Sequence, residues 1–156
     1  MKKPIAWFSI TAALFVLRCG AFARVDETIE QLDNRYGPPY ETGTTPFHTE
    51  FRQYRFKGLL IFAHFFDGKC IGESYENQDH SALATDIVQG LLSANAGASK
   101  WNEVTKNGWQ RADERFVALN HQQPGDQKFG LIVCTPQLLK AIQVRKNAKE
   151  KELNGF

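Results

Sequence analysis

Asp67-Gly68 lies between two strand-like runs and limits the folds open to this chain more than any other feature. An Asp-Gly pair tolerates positive φ at both central positions of a type I′ turn, whose twist matches that of paired strands. The runs 59–66 and 69–76 are therefore expected to fold back on each other as a hairpin. In its simplest register Phe65 faces Cys70, Ala63 faces Gly72 and Ile61 faces Ser74, all taken to point at the core. Part of the chain must then be an antiparallel sheet.

Helix signals bracket this hairpin. Val25, Ile29, Leu32 and Tyr36 line one face of a short helix, which Gly37-Pro38-Pro39 stops. The run 47–56 alternates aromatic and polar residues and reads as a strand, separated from the next by Lys57-Gly58. A second helix is expected over 83–94, with Ile87, Val88, Leu91 and Leu92 on one face and Gly97 beyond its end. Runs 109–112, 116–121 and 128–134 read as three more strands, with turns at Asp113-Glu114 and over 122–127. Thr135-Pro136 starts a last helix, since threonine caps and proline suits the first helical position. The expected fold class is α+β: an antiparallel sheet of about six strands with three helices, in the order α-βββ-α-βββ-α. Residues 24–146 form one domain in this reading, and 147–156 a charged tail that frays. A duplicated half is not expected, because the residues of the two halves scarcely recur.

Residues 1–23 have the make-up of a removable export signal. Lys2 and Lys3 form a positive start, residues 5–17 are apolar except for Ser9 and Thr11, and Ala21-Phe22-Ala23 sets small residues where signal peptidase cuts. Cleavage would leave Arg24 first. The apolar run falls short of the ~20 residues that fill a bilayer, so no membrane span is expected after cleavage. Lipid anchoring through Cys19 is not expected either, because bulky, charged Arg18 precedes it. The signal carries three basic residues and no acidic one, so its loss takes 19 basic residues to 16 against 17 acidic ones and turns a formal +2 into −1. A near-neutral domain lacks the rows of Lys and Arg that neutralise phosphates, which sets nucleic acid aside as a partner. The expected location is exported, periplasmic or secreted.

Cleavage also leaves Cys70 and Cys134 as the remaining cysteines. In an oxidising compartment they are a candidate disulfide whose long loop would add roughly 4 kcal/mol by chain entropy. Two buried free thiols are the alternative, and a nucleophilic cysteine with His64 or His121 as base is a third reading. His48, His64, His80 and His121 are too scattered to pair on one helix face, so neither a metal site nor a cofactor is expected. Trp101 and Trp109 flank a polar connection and form a candidate binding patch if exposed, or a cover for the core if not. Basic residues from Lys140 to Lys151 are diluted by Glu150 and Glu152, as in a solvated helix end.

Asp26 to Gly37 with its following proline, Phe65-Phe66-Asp67-Gly68-Lys69-Cys70, and residues 93–101 together resemble a group of small, exported, functionally uncharacterised bacterial proteins. The chain departs from them at Ala84, where similar chains begin the second helix with a capping serine. Gly37-Pro38-Pro39 and Asp67-Gly68-Lys69 make the first half similar to the SmpA/OmlA class of outer-membrane assembly lipoproteins, in which a helix ending in Gly-x-Pro precedes an antiparallel sheet. These resemblances imply an envelope or secreted location and supply no site residue. The functional expectation is a non-catalytic exported module that binds a protein or an envelope component. The alternative is a small exported hydrolase with a site assembled from His64, His121 and Asp67.

Overall fold

The computed structural model describes residues 24–121 and 130–154. The expected signal, with Cys19, Ala21 and Ala23, and the expected turn over 122–127 lie outside the described residues. The element order is α1 (Ile29–Tyr36), β1 (Glu41–Thr44), β2 (Glu50–Phe56), β3 (Leu59–Phe66), β4 (Lys69–Asn77), α2 (Thr85–Asn95), β5 (Trp101–Thr105), β6 (Gly108–Arg111), β7 (Val117–His121), β8 (Gly130–Cys134) and α3 (Pro136–Asn154).

All eight strands form one antiparallel sheet in the spatial order β1-β2-β3-β4-β8-β7-β6-β5. The expected six strands in groups of three are therefore wrong: the order is α-ββββ-α-ββββ-α. The two strands missed, β1 and β5, are the sheet's edges. Their residues are nearly all exposed, so no buried face imposes the alternation by which a strand is read. The sheet consists of two four-stranded meanders, each preceded by a helix and joined through β4 and β8.

Asp67 and Gly68 have φ of 51° and 70°, and Lys57 and Gly58 have 49° and 83°, so both hairpins of the first half turn through positive-φ pairs. Phe65 does face Cys70. A bulge between that pair and the next then shifts the register, so Ala63 faces Glu73 and Ile61 faces Tyr75 instead of Gly72 and Ser74. One extra residue, Ile71, exchanges the inward set of β4.

The two faces of the sheet differ in cover. On the first, Leu32 and Tyr36 of α1 and Val88, Leu91 and Leu92 of α2 pack on Tyr54, Ile61, Ala63, Phe65, Tyr75, Ala118, Leu131 and Val133, all buried in one cluster. Burying a large apolar side chain contributes roughly 1.5–3 kcal/mol, so this layer is the main source of stability. The second face carries Phe51, Leu60, Phe62, Val117, Leu119 and Ile132, each only half-buried. There α3 sits with Leu138 against Gly72, so closely that a Cβ on that glycine would lie 2.8 Å from the leucine and 2.7 Å from the Cys134 Cβ. The last helix runs on to Asn154, so residues 147–154 of the expected tail are helical.

Candidate functional site

Five residues ahead of α1, Arg24 to Thr28, form a strap that ties the two halves together. Thr28 caps α1 through a reciprocal box: its hydroxyl accepts from the Gln31 N–H at 3.3 Å, while the Gln31 side chain accepts from the Thr28 N–H at 2.8 Å. The strap pairs with the first half at Cys70, whose carbonyl accepts from Asp26 N–H and whose N–H donates to the Glu27 carbonyl, both at 2.8 Å. It reaches the second half through Val25 N–H, which donates to Asn95 Oδ1 at 3.2 Å, and through the Asp26 carboxylate, which accepts from Arg115 at 2.9 Å.

Beneath the strap lies a buried polar cluster. Glu73, 1% exposed, is brought inward by the bulge in β4. Its carboxylate accepts from the Tyr75 hydroxyl and from the Tyr36 hydroxyl, the latter at 3.2 Å. Tyr75 in turn accepts from Asn95 Nδ2 at 3.0 Å. The Arg24 guanidinium lies 5.7 Å from the Tyr36 ring and 5.8 Å from the Tyr75 ring, and its buried Nε has no hydrogen-bond partner among the described residues. Burial pushes the Glu73 carboxyl up to about 7, against the pull of the tyrosine hydroxyls and Arg24. Burial likewise raises both tyrosines, which remain neutral donors.

A buried cation clamps the far half. Arg111, 3% exposed, donates through Nε and Nη2 to the two oxygens of Asp113 at 2.9 and 2.7 Å, and through Nη1 to the Asn95 carbonyl at 3.2 Å. Its guanidinium stacks 4.4 Å from the Phe116 ring centre. The hydrogen bond from Arg111 holds the Asp113 carboxyl below its usual range. Between the strap, α1 and the β3–β4 turn is an open cleft of about 500 Å³, lined by Val25, Asp26, Glu27, Asn34, Arg35 and Lys69 among others. Glu27 and Arg35 are paired with each other across it. The cleft's charges are thus largely spent on the fold.

The residues singled out from sequence do not converge. His64 and His121 are separated by β4 and β8, roughly 14 Å across the sheet and a further ~13 Å along it. Asp67 sits exposed in its turn. His64 shares a 3.3 Å hydrogen bond with Thr49 and packs 4.7 Å from the Phe62 ring, and burial lowers its pKa to about 4. It is a neutral part of the sheet. The structure therefore does not assemble the expected hydrolase group.

Cys70 and Cys134 are free, buried thiols. Cys70 pairs with core-facing Phe65, whereas Cys134 pairs with Gly72 and Val117 on the second face, so the backbone of the sheet stands between the two sulfurs. No disulfide joins them. Burial raises the Cys134 thiol to about 12 and Cys70 well above its usual value, which leaves both without nucleophilic thiolate. Trp101 and Trp109 are half-buried against the core, and the Trp101 indole donates to the Leu92 carbonyl at 2.7 Å. They cover the core beneath α2.

Sequence reading missed Glu73, because the shift at Ile71 leaves no mark in the alternation of β4. Asn95 left a legible mark: it follows Val88, Leu91 and Leu92 on the buried stripe of α2, where a polar side chain needs a partner.

No protein-family model matches the chain, and no curated protein matches it. Among solved structures, a cysteine-rich secretory protein from Staphylococcus aureus is similar at a TM-score of 0.46 and 8% identity, over 74% of this chain and 44% of that one. An extracellular protein containing an SCP domain from Bacillus anthracis is similar at 0.46 and 12% identity, over 89% of this chain and 50% of that one. The chain spans half or less of the length of either, and at these values its function has to be read from its own residues.

Proposed function

We propose that this chain is an exported, non-catalytic protein that binds another protein or an envelope component on the second face of its sheet. The observation that carries this reading is the contrast between the faces. The centre of the first face, from Tyr54, Ile61, Ala63 and Phe65 to Tyr75, Leu131, Val133 and Ala118, is buried, while Phe51, Leu60, Phe62, Leu119 and Ile132 on the second remain half-buried beside α3. Apolar surface left uncovered within a rim of polar groups, here Gln53, Arg55, Glu76 and Gln110, is the usual make-up of an interaction site. The buried ionisable groups support the same reading, since Glu73 and Arg111 are spent on side chains that hold the fold. Export is supported by the charged start, apolar run and small residues of 1–23, and the resemblance to small exported bacterial proteins agrees with it. No helix among the described residues is long and apolar enough to cross a membrane.

The test is retention of a partner from periplasmic extract or culture fluid of the native host by immobilised protein, beside Phe62→Ser and Leu119→Ser variants shown to be folded. A partner held by the original chain and lost by both variants is the expected result. Repeated failure to retain any partner, or equal retention by the variants, overturns the binding reading. Mass spectrometry of the N-terminus tests export separately: a chain that keeps residues 1–23 and stays inside the cell contradicts it.

A further inference from the structure

Arg24, at the start of the described strap, is a cation whose charge acts on the buried carboxylate beneath it, and the strap is also a wall of the open cleft. We propose that Arg24 and Glu73 form a charge-operated latch, in which Arg24 is seated while Glu73 is ionised and released when Glu73 takes up a proton, loosening the cleft wall formed by Val25, Asp26 and Glu27.

The geometry supplies the coupling. Glu73 receives hydrogen bonds from Tyr36 of α1 and Tyr75 of β4, and Arg24 rests over both of those rings. Asn95 of α2 joins the two parts directly, donating to the Tyr75 hydroxyl while its Oδ1 accepts from Val25 N–H. Other titratable groups that face this centre are Glu27 of the strap, Cys70 of β4 and Arg35 of α1, whose charge acts on Tyr36, and Glu27 adds negative charge that favours the proton on Glu73. Glu27 itself is held by Arg35, so Arg24 supplies the opposing charge.

Arg24 pulls the acidity of Glu73 in one direction, and coupling between sites is reciprocal. A seated Arg24 favours the ionised carboxylate, so protonation of that carboxylate must weaken the seating of Arg24 by the same factor. Tyr36 and Tyr75, both buried, touch both partners: their hydroxyls donate to Glu73 and their rings lie under the guanidinium. Arg24 is only half-buried and its Nε has no hydrogen-bond partner among the described residues, so beyond its contacts with Tyr36 and Tyr75 the charge of Glu73 is what favours its seat. The proton on Glu73 changes hands near neutrality, where burial has moved it.

Hydrogen exchange on the purified chain, with its N-terminus mapped, reads the latch at the Val25 amide. Protection is expressed against the intrinsic rate at each pH, and the Leu32 amide inside α1 serves as reference. From about pH 8 to about pH 5.5, protection at Val25 is expected to fall on the order of tenfold while Leu32 holds. Glu73→Gln should show the low value at both pH values, and so should Arg24→Gln, which leaves the buried carboxyl in place. Protection at Val25 that is flat or rises as the pH falls overturns the latch. So does an Arg24→Gln chain as protected as the original at about pH 8.

Discussion

In the first half of the molecule α1 opens with the reciprocal Thr28–Gln31 cap, and β2, β3 and β4 run for 7, 8 and 9 residues through two-residue turns. In the second half α2 starts at Ala84 with no side-chain cap, and among the described residues no strand exceeds 5 residues. The topology is the same; the means of holding it are not. Local signals close to one another in sequence are enough to turn and pair the first half. The second half, with shorter strands and an uncapped helix, leans on side-chain ties from Arg111 to the end of α2, Trp101 to the Leu92 carbonyl and Arg115 to the strap. The first half has its own ties, from Tyr36 to Glu73 and from Asp33 to Arg52 and Tyr54, in addition to its local signals. A chain can thus hold one topology twice, with strong local signals added to the side-chain ties in one half and largely without them in the other.

Removing an anchor from each half gives the largest expected effect. Arg111→Leu strips two hydrogen bonds from Asp113 and one from the Asn95 carbonyl in a buried setting, and is expected to cost about 3 kcal/mol or more. Arg52→Leu, the matched change in the first half, breaks half-exposed pairs with Asp33 and Glu50 and is expected to cost about 1 kcal/mol or less. Urea denaturation of both variants decides the matter. Equal losses would mean that the second half is no more dependent on its anchor than the first.

Acid should find the first half through two groups that pull in opposite directions. Burial lowers His64 from 6.5 to about 4, so as the pH falls the unfolded chain takes up that proton first. Stability contributed by neutral His64 is full above about pH 6.5 and drains as the pH falls towards 4. Burial raises Glu73 from 4.5 to about 7, so there the folded chain takes up the proton first. Its contribution is full below about pH 4.5 and is lost as the pH rises through 7. Between those limits the slopes oppose, each at most ~1.4 kcal/mol per pH unit. His64→Gln is expected to leave stability rising as the pH falls from about 7 to 5, and Glu73→Gln to leave it falling. Identical pH profiles for the two variants would show that burial in the sheet shifts neither group's acidity relative to the unfolded chain.

The same asymmetry explains what could be read from the sequence. Asp67-Gly68, Lys57-Gly58 and the Gly37-Pro38-Pro39 stop each act over a few residues, so β3, β4 and the ends of α1 and β2 were legible, whereas Val25, read as helical, lies in the strap and β2 starts at Glu50 instead of Phe47. Thr135-Pro136 likewise located the start of α3. The edges β1 and β5 were not legible, since a strand with little to bury has no pattern to show. Glu73 escaped because its direction follows from a one-residue bulge, a tertiary adjustment that local alternation does not encode. The relation between Cys70 and Cys134 was hidden for the same reason. Which face a thiol takes depends on register, and spacing along the chain does not fix register across a sheet.

Caps provide the smallest effect and the most direct exchange of character between the halves. Thr28→Ala removes the reciprocal box from α1 and is expected to cost ~1 kcal/mol. Ala84→Ser makes the opposite change at the start of α2. Ala84 already has the extended backbone of an N-cap, with φ −65° and ψ 149°, and its carbonyl already accepts from the Val88 N–H at 3.0 Å. Only the side-chain acceptor is missing. A serine hydroxyl there would reach the free N–H groups of the first turn without disturbing any contact, because Ala84, Thr85, Asp86 and Ile87 are all exposed. The expected gain is roughly 0.5–1 kcal/mol, seen as a higher denaturation midpoint with an unchanged slope. If Ala84→Ser is neutral while Thr28→Ala is costly, then α2 is held by its buried stripe alone, and the second half draws nothing from local signals even when one is supplied.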